Sequence, residues 1–186
     1  MFAELKIKIS MKKLLFAAAI LISTIASAQK NSLLVGGNVG YSLEKTGDSK
    51  FETFEFSPKV GYQFADRWTI GADAAIRSEK LSGYEKTDTY KIGGFVRYAV
   101  PLSDLFSVYG DLGAGYQNDS YDNAKGMYAS FTPALFINMK NGFGLNFSIG
   151  GINYDNQKGD FTPRKENFGF NFGKSISIGV SKNFGL

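Results

Sequence analysis

From Phe54 to Arg77 the chain alternates apolar and polar residues with almost no interruption. Phe54, Phe56, Pro58, Val60, Tyr62 and Phe64 interleave with Glu55, Ser57, Lys59, Gly61 and Gln63. After Ala65-Asp66-Arg67, the residues Trp68, Ile70, Ala72, Ala74 and Ile76 interleave with Thr69, Gly71, Asp73, Ala75 and Arg77. Side chains of a strand point alternately to opposite faces, so each arm has one apolar and one polar face. Pairing the arms across the three-residue turn, with Phe64 opposite Trp68, sets Lys59 against Asp73 and Glu55 against Arg77. Opposite charges facing each other across strands are stabilising. The pattern predicts a β-hairpin with a charge-matched side and an oily side.

The rest of the chain repeats this period. The spacing predicts strands over 32–43, 54–64, 68–80, 89–100, 106–116, 127–139, 143–154 and 167–184, eight in all. Turn-forming or polar stretches separate them: Glu44–Lys50, Leu81–Lys86, Pro101–Leu105, Asn118–Lys125, Lys140-Asn141-Gly142 and Asp155–Lys165. Connections after the even strands are short, and those after the odd strands are longer and polar. Phe95 and Lys174 break their strands' patterns, Pro133 predicts a local bulge, and Gly142 suits the left-handed position of a hairpin turn. The glycine pairs Gly36-Gly37 and Gly150-Gly151 lie inside strands, where they relieve packing or permit a bend.

The first 28 residues are of another kind. Met11-Lys12-Lys13, an apolar run from Leu14 to Ile22 and Ala26-Ser27-Ala28 make a cleavable, helical signal peptide with cleavage before Gln29. Met11 begins a complete leader on its own and is the expected start. Residues 29–186 then form one domain. The leader holds four lysines and one glutamate, so the 21 basic and 17 acidic groups of the whole chain fall to 17 and 16, net +1. That balance leaves no basic block for nucleic acid. There is no cysteine and no histidine. Disulfide frameworks and thiol chemistry are excluded, along with the commonest general base and metal ligand. No cofactor is expected.

Eight strands in up-and-down order close into an all-β, antiparallel transmembrane β-barrel, with the apolar face toward lipid. Two observations favour lipid over a ligand-filled interior. The polar face is rich in Gly, Ser and Asn, which suits a narrow lumen. Aromatics gather at both ends of the apolar face: Phe64, Trp68, Tyr98, Phe106, Phe143 and Phe184 at one, Tyr41, Phe54, Tyr90, Tyr116 and Phe168 at the other. Pairing the third and fourth strands about Glu85 sets Asp73 against Arg97 and Glu79 against Lys91. The lumen is then crossed by a charge ladder of Glu55, Lys59, Asp73, Arg77, Glu79, Lys91 and Arg97, together with Asp111. This ladder is either a structural plug or the lining of an ion path, and the narrow interior favours the plug.

The leader, the eight alternating strands and the ending Ile176–Phe184 resemble the small eight-stranded outer-membrane barrels of the OmpA/OmpX type. A glycine, Gly179, is followed five positions later by an aromatic, Phe184, as in the terminal signal read by the barrel-assembly machinery. Lys182 and the trailing Gly185-Leu186 depart from that signal. The resemblance implies an outer-membrane location in a Gram-negative cell, lipid and the assembly machinery as partners, and a monomer. It implies a structural, envelope-integrity or surface-interaction role through four outer loops, without catalysis, since the lipid A enzymes of this size use a histidine. The alternatives are a small pore for ions or solutes and a soluble lipocalin-like periplasmic barrel with a hydrophobic ligand.

Overall fold

The computed structural model describes residues 32–47, 49–120 and 122–185, with backbone alone at 174 and 175. The signal peptide, Met11, the cleavage point before Gln29 and the Lys174 side chain lie outside the described residues. The eight strands are β1 (Ser32–Thr46), β2 (Ser49–Ala65), β3 (Trp68–Leu81), β4 (Thr87–Pro101), β5 (Phe106–Asp119), β6 (Ala124–Lys140), β7 (Phe143–Lys158) and β8 (Lys165–Gly185). Each pairs antiparallel with its neighbours and β8 returns to β1, giving a closed barrel. Ser32 pairs with Gly185, so both ends of the wall meet at one end of the barrel, together with the tight turns.

The oily residues face outward: Ile70 is 52% and Leu112 63% exposed. That orientation removes the soluble lipocalin-like alternative, which needs them inside. At the turn end, Trp68 and Tyr98 pack with their rings tilted by 54° and their centroids 4.8 Å apart. The Arg67 guanidinium donates a 3.2 Å hydrogen bond to the Tyr98 hydroxyl.

The first hairpin has the expected register, Lys59 opposite Asp73 and Glu55 opposite Arg77. Its turn is tighter than expected. Ala65, not Phe64, faces Trp68, leaving Asp66-Arg67 as the turn and a bulge between Gln63 and Ala65 that absorbs the extra residue. At the third hairpin Lys140 likewise belongs to β6 and pairs with Phe143. Asn141 and Gly142, with φ of 50° and 73°, form a two-residue Asn-Gly turn whose twist matches the strands.

The β3–β4 register differs by four residues from the one read about Glu85. Asp73 faces Gly93, Thr69 faces Arg97, Ala75 faces Lys91 and Glu79 faces Thr87. Strand β4 begins at Thr87, two residues before its expected start and paired there with Glu79, so the turn is centred near Gly83. An even slip keeps every side chain on its own face, which is why the inward and outward sets survive while the partners change. The polar connections are also shorter than expected. β1 runs to Thr46, β7 to Lys158, and β6 begins at Ala124. Alternating hydrophobicity stops where a strand leaves lipid, but its hydrogen-bonded pairing does not.

Two irregularities shape the wall. Between Phe131↔Ile152 and Ala134↔Ser148, β7 carries one residue more than β6 beside Pro133, and Gly150 there has φ of 103°. Between Ser148↔Ser177 and Gly150↔Phe172, β8 makes a longer excursion over residues 173–176.

The lumen holds large side chains as well as small polar ones. Phe95, which breaks the β4 pattern, is 3% exposed and Leu34 is 2% exposed. Phe95 fits because glycines lie beneath it. A Cβ on Gly61 would sit 3.0 Å from the Phe95 ring and 2.8 Å from Thr69 Cγ2. One on Gly115 would sit 2.8 Å from the Tyr128 ring. Gly61→Ala is therefore expected to cost about 1–3 kcal/mol by overpacking. Adding Phe95→Leu to the same chain recovers part of that loss. Urea titration of the refolded barrel checks this, and an unchanged midpoint for Gly61→Ala contradicts the packing.

Candidate functional site

The charged residues singled out from the sequence fall into three levels of the lumen. At the waist, Arg97 and Asp111 are direct cross-strand neighbours on β4 and β5. Arg97 donates from Nε to Asp111 Oδ1 at 2.6 Å and from its terminal nitrogen to Oδ2 at 2.8 Å. Lys59 reaches across from β2 and donates to the same Oδ2 at 2.9 Å. Two cations thus converge on one buried carboxylate. The Arg97 guanidinium lies 3.7 Å from the Tyr109 ring centroid, and Lys59 Nζ lies 5.0 Å from that of Phe95. Tyr109 donates onward to Asn146 Oδ1 at 2.9 Å, and Asn146 donates to Ser181 Oγ at 2.9 Å, so polar contact crosses the lumen from β4 to β8.

Asp111, placed at the margin of the ladder by the sequence, is its hub. Asp73 is not, because the β3–β4 slip carries it away from Arg97 and its partner is the Tyr128 hydroxyl at 3.3 Å. Above the waist, Lys91 binds Asp155 at 2.9 Å and lies 4.9 Å from the Tyr128 ring centroid. Lys91 does not meet Glu79. Glu79 instead pairs with Arg77 of its own strand at 2.7 Å, in a more exposed position. Glu55 faces Arg77 in register but has no ion partner among the described residues.

The sequence reading missed Asp155, Tyr109 and Tyr128 as members of this network. The sequence reading places Asp155 first in the polar connection after the seventh strand, and the strand's parity would also turn it outward. Phe143, Leu145, Phe147 and Ile149 place odd residues of β7 outward, and the extra residue at Gly150-Gly151 then reverses the parity. Asn153 and Asp155 therefore enter the lumen. The glycine pair beside Pro133 was the available signal.

Little space remains at the waist. A cavity of about 40 Å³ lies among Asn38, Lys59, Arg97, Tyr109, Asp111 and Asn146, which admits a few waters at most. Toward the turn end, a second cavity of about 180 Å³ is lined by Leu34, Gln63, Arg67, Thr69, Arg97 and Asn183. Arg97 borders both and separates them. No group of three or more His, Cys, Asp or Glu side chains among the described residues has the geometry to hold a metal ion.

At the opposite end, two connections are clasped together. The Asp122 carboxylate accepts from the Phe161 amide at 3.0 Å, the Thr162 amide at 3.1 Å and the Thr162 hydroxyl. Asn123 donates to Asp160 at 3.0 Å. The Thr162 hydroxyl is the main cause holding the Asp122 carboxyl below the usual carboxylate range. Slight desolvation opposes it and the two amides reinforce it.

A family model described as the outer membrane protein beta-barrel domain matches residues 14–184. The chain belongs to that family. Among solved structures, it overlaps OprG from Pseudomonas aeruginosa with a TM-score of 0.52 at 12% identity, over 86% of this chain and 99% of that one. Ail of Yersinia pestis, studied in a phospholipid bilayer nanodisc, overlaps with a TM-score of 0.46 at 15% identity over 83% and 99%. The outer membrane enzyme PagL overlaps with a TM-score of 0.40 at 9% identity over 82% and 98%. No curated protein matches the sequence. The likeness to OprG is one of fold, and the outward apolar girdle of this family member is its lipid-facing surface.

Two outcomes test the geometry. Asp111→Ala leaves Lys59 and Arg97 facing each other without a counter-charge and is expected to cost about 3–5 kcal/mol. Asp73→Ala removes one long hydrogen bond and is expected to cost about 0.5–1.5 kcal/mol. Heat-shifted gel mobility of the two refolded variants separates them. The second concerns pH. The folded pKa of Asp122 lies below its unfolded value of about 3.9. Its contribution to the clasp is therefore present above that value and is lost as pH falls through the folded one. The Phe161 and Thr162 amides should lose hydrogen-exchange protection on acidification, whereas Asp122→Asn should show a flat pH response.

Proposed function

We propose that this outer membrane barrel is a non-conducting, non-enzymatic wall protein that contributes to envelope integrity and presents its outer end to partners. One observation carries the reading: Lys59, Asp111 and Arg97, packed against Phe95 and Tyr109, fill the waist and leave a cavity of only about 40 Å³ there. An eight-stranded barrel leaves an interior that side chains just fill. Moving an ion past that point requires separating two cations from a shared buried carboxylate, which is costly. The non-catalytic part of the reading is supported by the absence of histidine from the chain, which removes the side chain whose unperturbed pKa is suited to general base work near neutral pH.

Surface interaction is favoured by two exposed aromatics at the clasped end. Phe161 is 93% and Tyr84 72% exposed. Both stand on the polar connections, where an approaching partner would meet them first.

During biogenesis the partner is the barrel-assembly machinery, reached through β8 and Phe184. Lys182, the departure from an apolar residue, lies with its Nζ 5.6 Å from the Phe184 ring centroid. Its charge thereby sits against an aromatic face at the rim, an arrangement that offsets its cost there. The protein acts as a monomer surrounded by outer-membrane lipid.

Planar-bilayer recording is the test. The refolded protein should give no sustained single-channel steps, and Asp111→Ala should raise the frequency of brief current events if it still folds. Sustained steps from the unaltered chain would establish the pore alternative.

A further inference from the structure

One seam of the barrel is only half closed. β1 and β8 pair from Ser32↔Gly185 to Asn38↔Gly179, and among the described residues the pairing goes no further. Above that point β1 continues to Thr46, held by β2 alone, and β8 spans Lys165 to Ile178, held by β7 alone. The excursion of β8 over residues 173–176 lies just beyond the last pair, with two residues between it and Gly179, and Gly173 there has φ of 75°. The outward residues beside the split are exposed to the same degree as the rest of the lipid-facing girdle. Val39 is 69% exposed, Tyr41 66%, Ile176 67% and Ile178 57%. The closed stretch ends at Asn38, which lines the waist cavity, so the wall is slit from the waist to the outer rim.

Two strand edges inside a bilayer present backbone N–H and C=O groups that hydrocarbon cannot satisfy. They are tolerated where they border a polar lumen, and this lumen is polar at that height. The inward positions flanking the slit are Gly40 and Ser42 on β1 and Gly169, Asn171 and Gly173 on β8. Outward, the rims are Val39, Tyr41 and Leu43 against Phe168, Phe170 and Phe172. The opening is lined by hydrogen-bonding groups within and by oily side chains without.

A second feature lies directly below it on the lipid face. A groove of about 490 Å³ runs over the closed part of the seam, lined by Val35, Val39, Phe56, Pro58, Ile178 and Val180. Gly37, an outward position of β1 without a side chain, is part of its floor. Its volume falls within the range of ligand sites, about 300–1,000 Å³. The groove reaches Val39 and Ile178, the residues at which the slit begins.

We propose that the β1–β8 seam is a binding site for a membrane amphiphile drawn from the outer leaflet, its acyl chain lying in the groove and its polar head entering the slit. A purely apolar molecule leaves the strand edges unsatisfied, and a freely soluble polar one leaves the groove empty. An amphiphile meets both demands. The Lys59–Asp111–Arg97 cluster closes the lumen below, so the head group is received and held at the outer half and does not cross. This goes beyond the wall-protein reading and does not require it, since a conducting waist would leave the seam as it is.

The chain has no cysteine, so introduced ones are unique. Ser42→Cys, beside the slit, and Ser130→Cys, inward on β6 away from it, each carry an environment-sensitive fluorophore in phosphatidylcholine vesicles. A phosphatidylcholine with a nitroxide on its head group is the quencher. Quenching several-fold stronger at position 42 than at 130 is expected, and equal quenching overturns the site. A second measurement uses cysteine pairs. Tyr41→Cys with Ile176→Cys would face each other if the register continued, whereas Val35→Cys with Lys182→Cys lie in the closed stretch. Under mild oxidation in the vesicles, the lower pair should crosslink within one chain and the upper pair should stay reduced. Rapid crosslinking of the upper pair within one chain shows a zipped seam and overturns the proposal. Crosslinking of the upper pair between chains assigns the edges to a second copy and overturns it equally.

Discussion

The narrowness of an eight-stranded lumen governs this structure. Every large inward side chain needs a gap opposite it, and glycine supplies the gap. Phe95 rests against Gly61 and Gly71, and Tyr128 against Gly93 and Gly115. Those rings in turn offer their faces to the cations of the ion pairs, Phe95 to Lys59 and Tyr128 to Lys91. The cations are thus held between a carboxylate and an aromatic face. Packing and electrostatics at the waist are one arrangement, and neither is satisfied without the other.

The fold was legible because lipid imposes a simple rule on strands. Outward residues must be oily, inward ones small or polar, and period-two alternation records this directly. The inward set containing Lys59, Asp73, Lys91, Arg97 and Asp111 follows from it. What alternation does not record is which inward residue touches which. That depends on register, and register between β3 and β4 depends on how far the strands run past the membrane, where the hydrophobic signal has ended. A four-residue slip is invisible to the pattern, yet it moves Asp73 from Arg97 to Gly93. Asp155 was obscured differently, by a bulge at Gly150 that reverses parity halfway along β7.

Irregularities of the wall therefore carry more information about the site than the regular strands do. The bulge beside Pro133 delivers Asp155 to Lys91. The excursion in β8 accompanies the parting of β8 from β1. Bulges are over-represented where a sheet must redirect a side chain or end a pairing, and this barrel uses one for each purpose. Its outer half consequently differs from its inner half, with a waist crowded by paired charges below and the parted strands β1 and β8 above.

Because Ser32 and Gly185 are direct partners, the two ends of the barrel wall emerge side by side at the start of the seven-pair closure. Tension applied between them would act at right angles to the strands and break those pairs in succession. Pairs loaded that way carry the force one at a time. The barrel is thus mechanically polarised, and a pull on its ends would open it from the rim of the tight turns toward the slit.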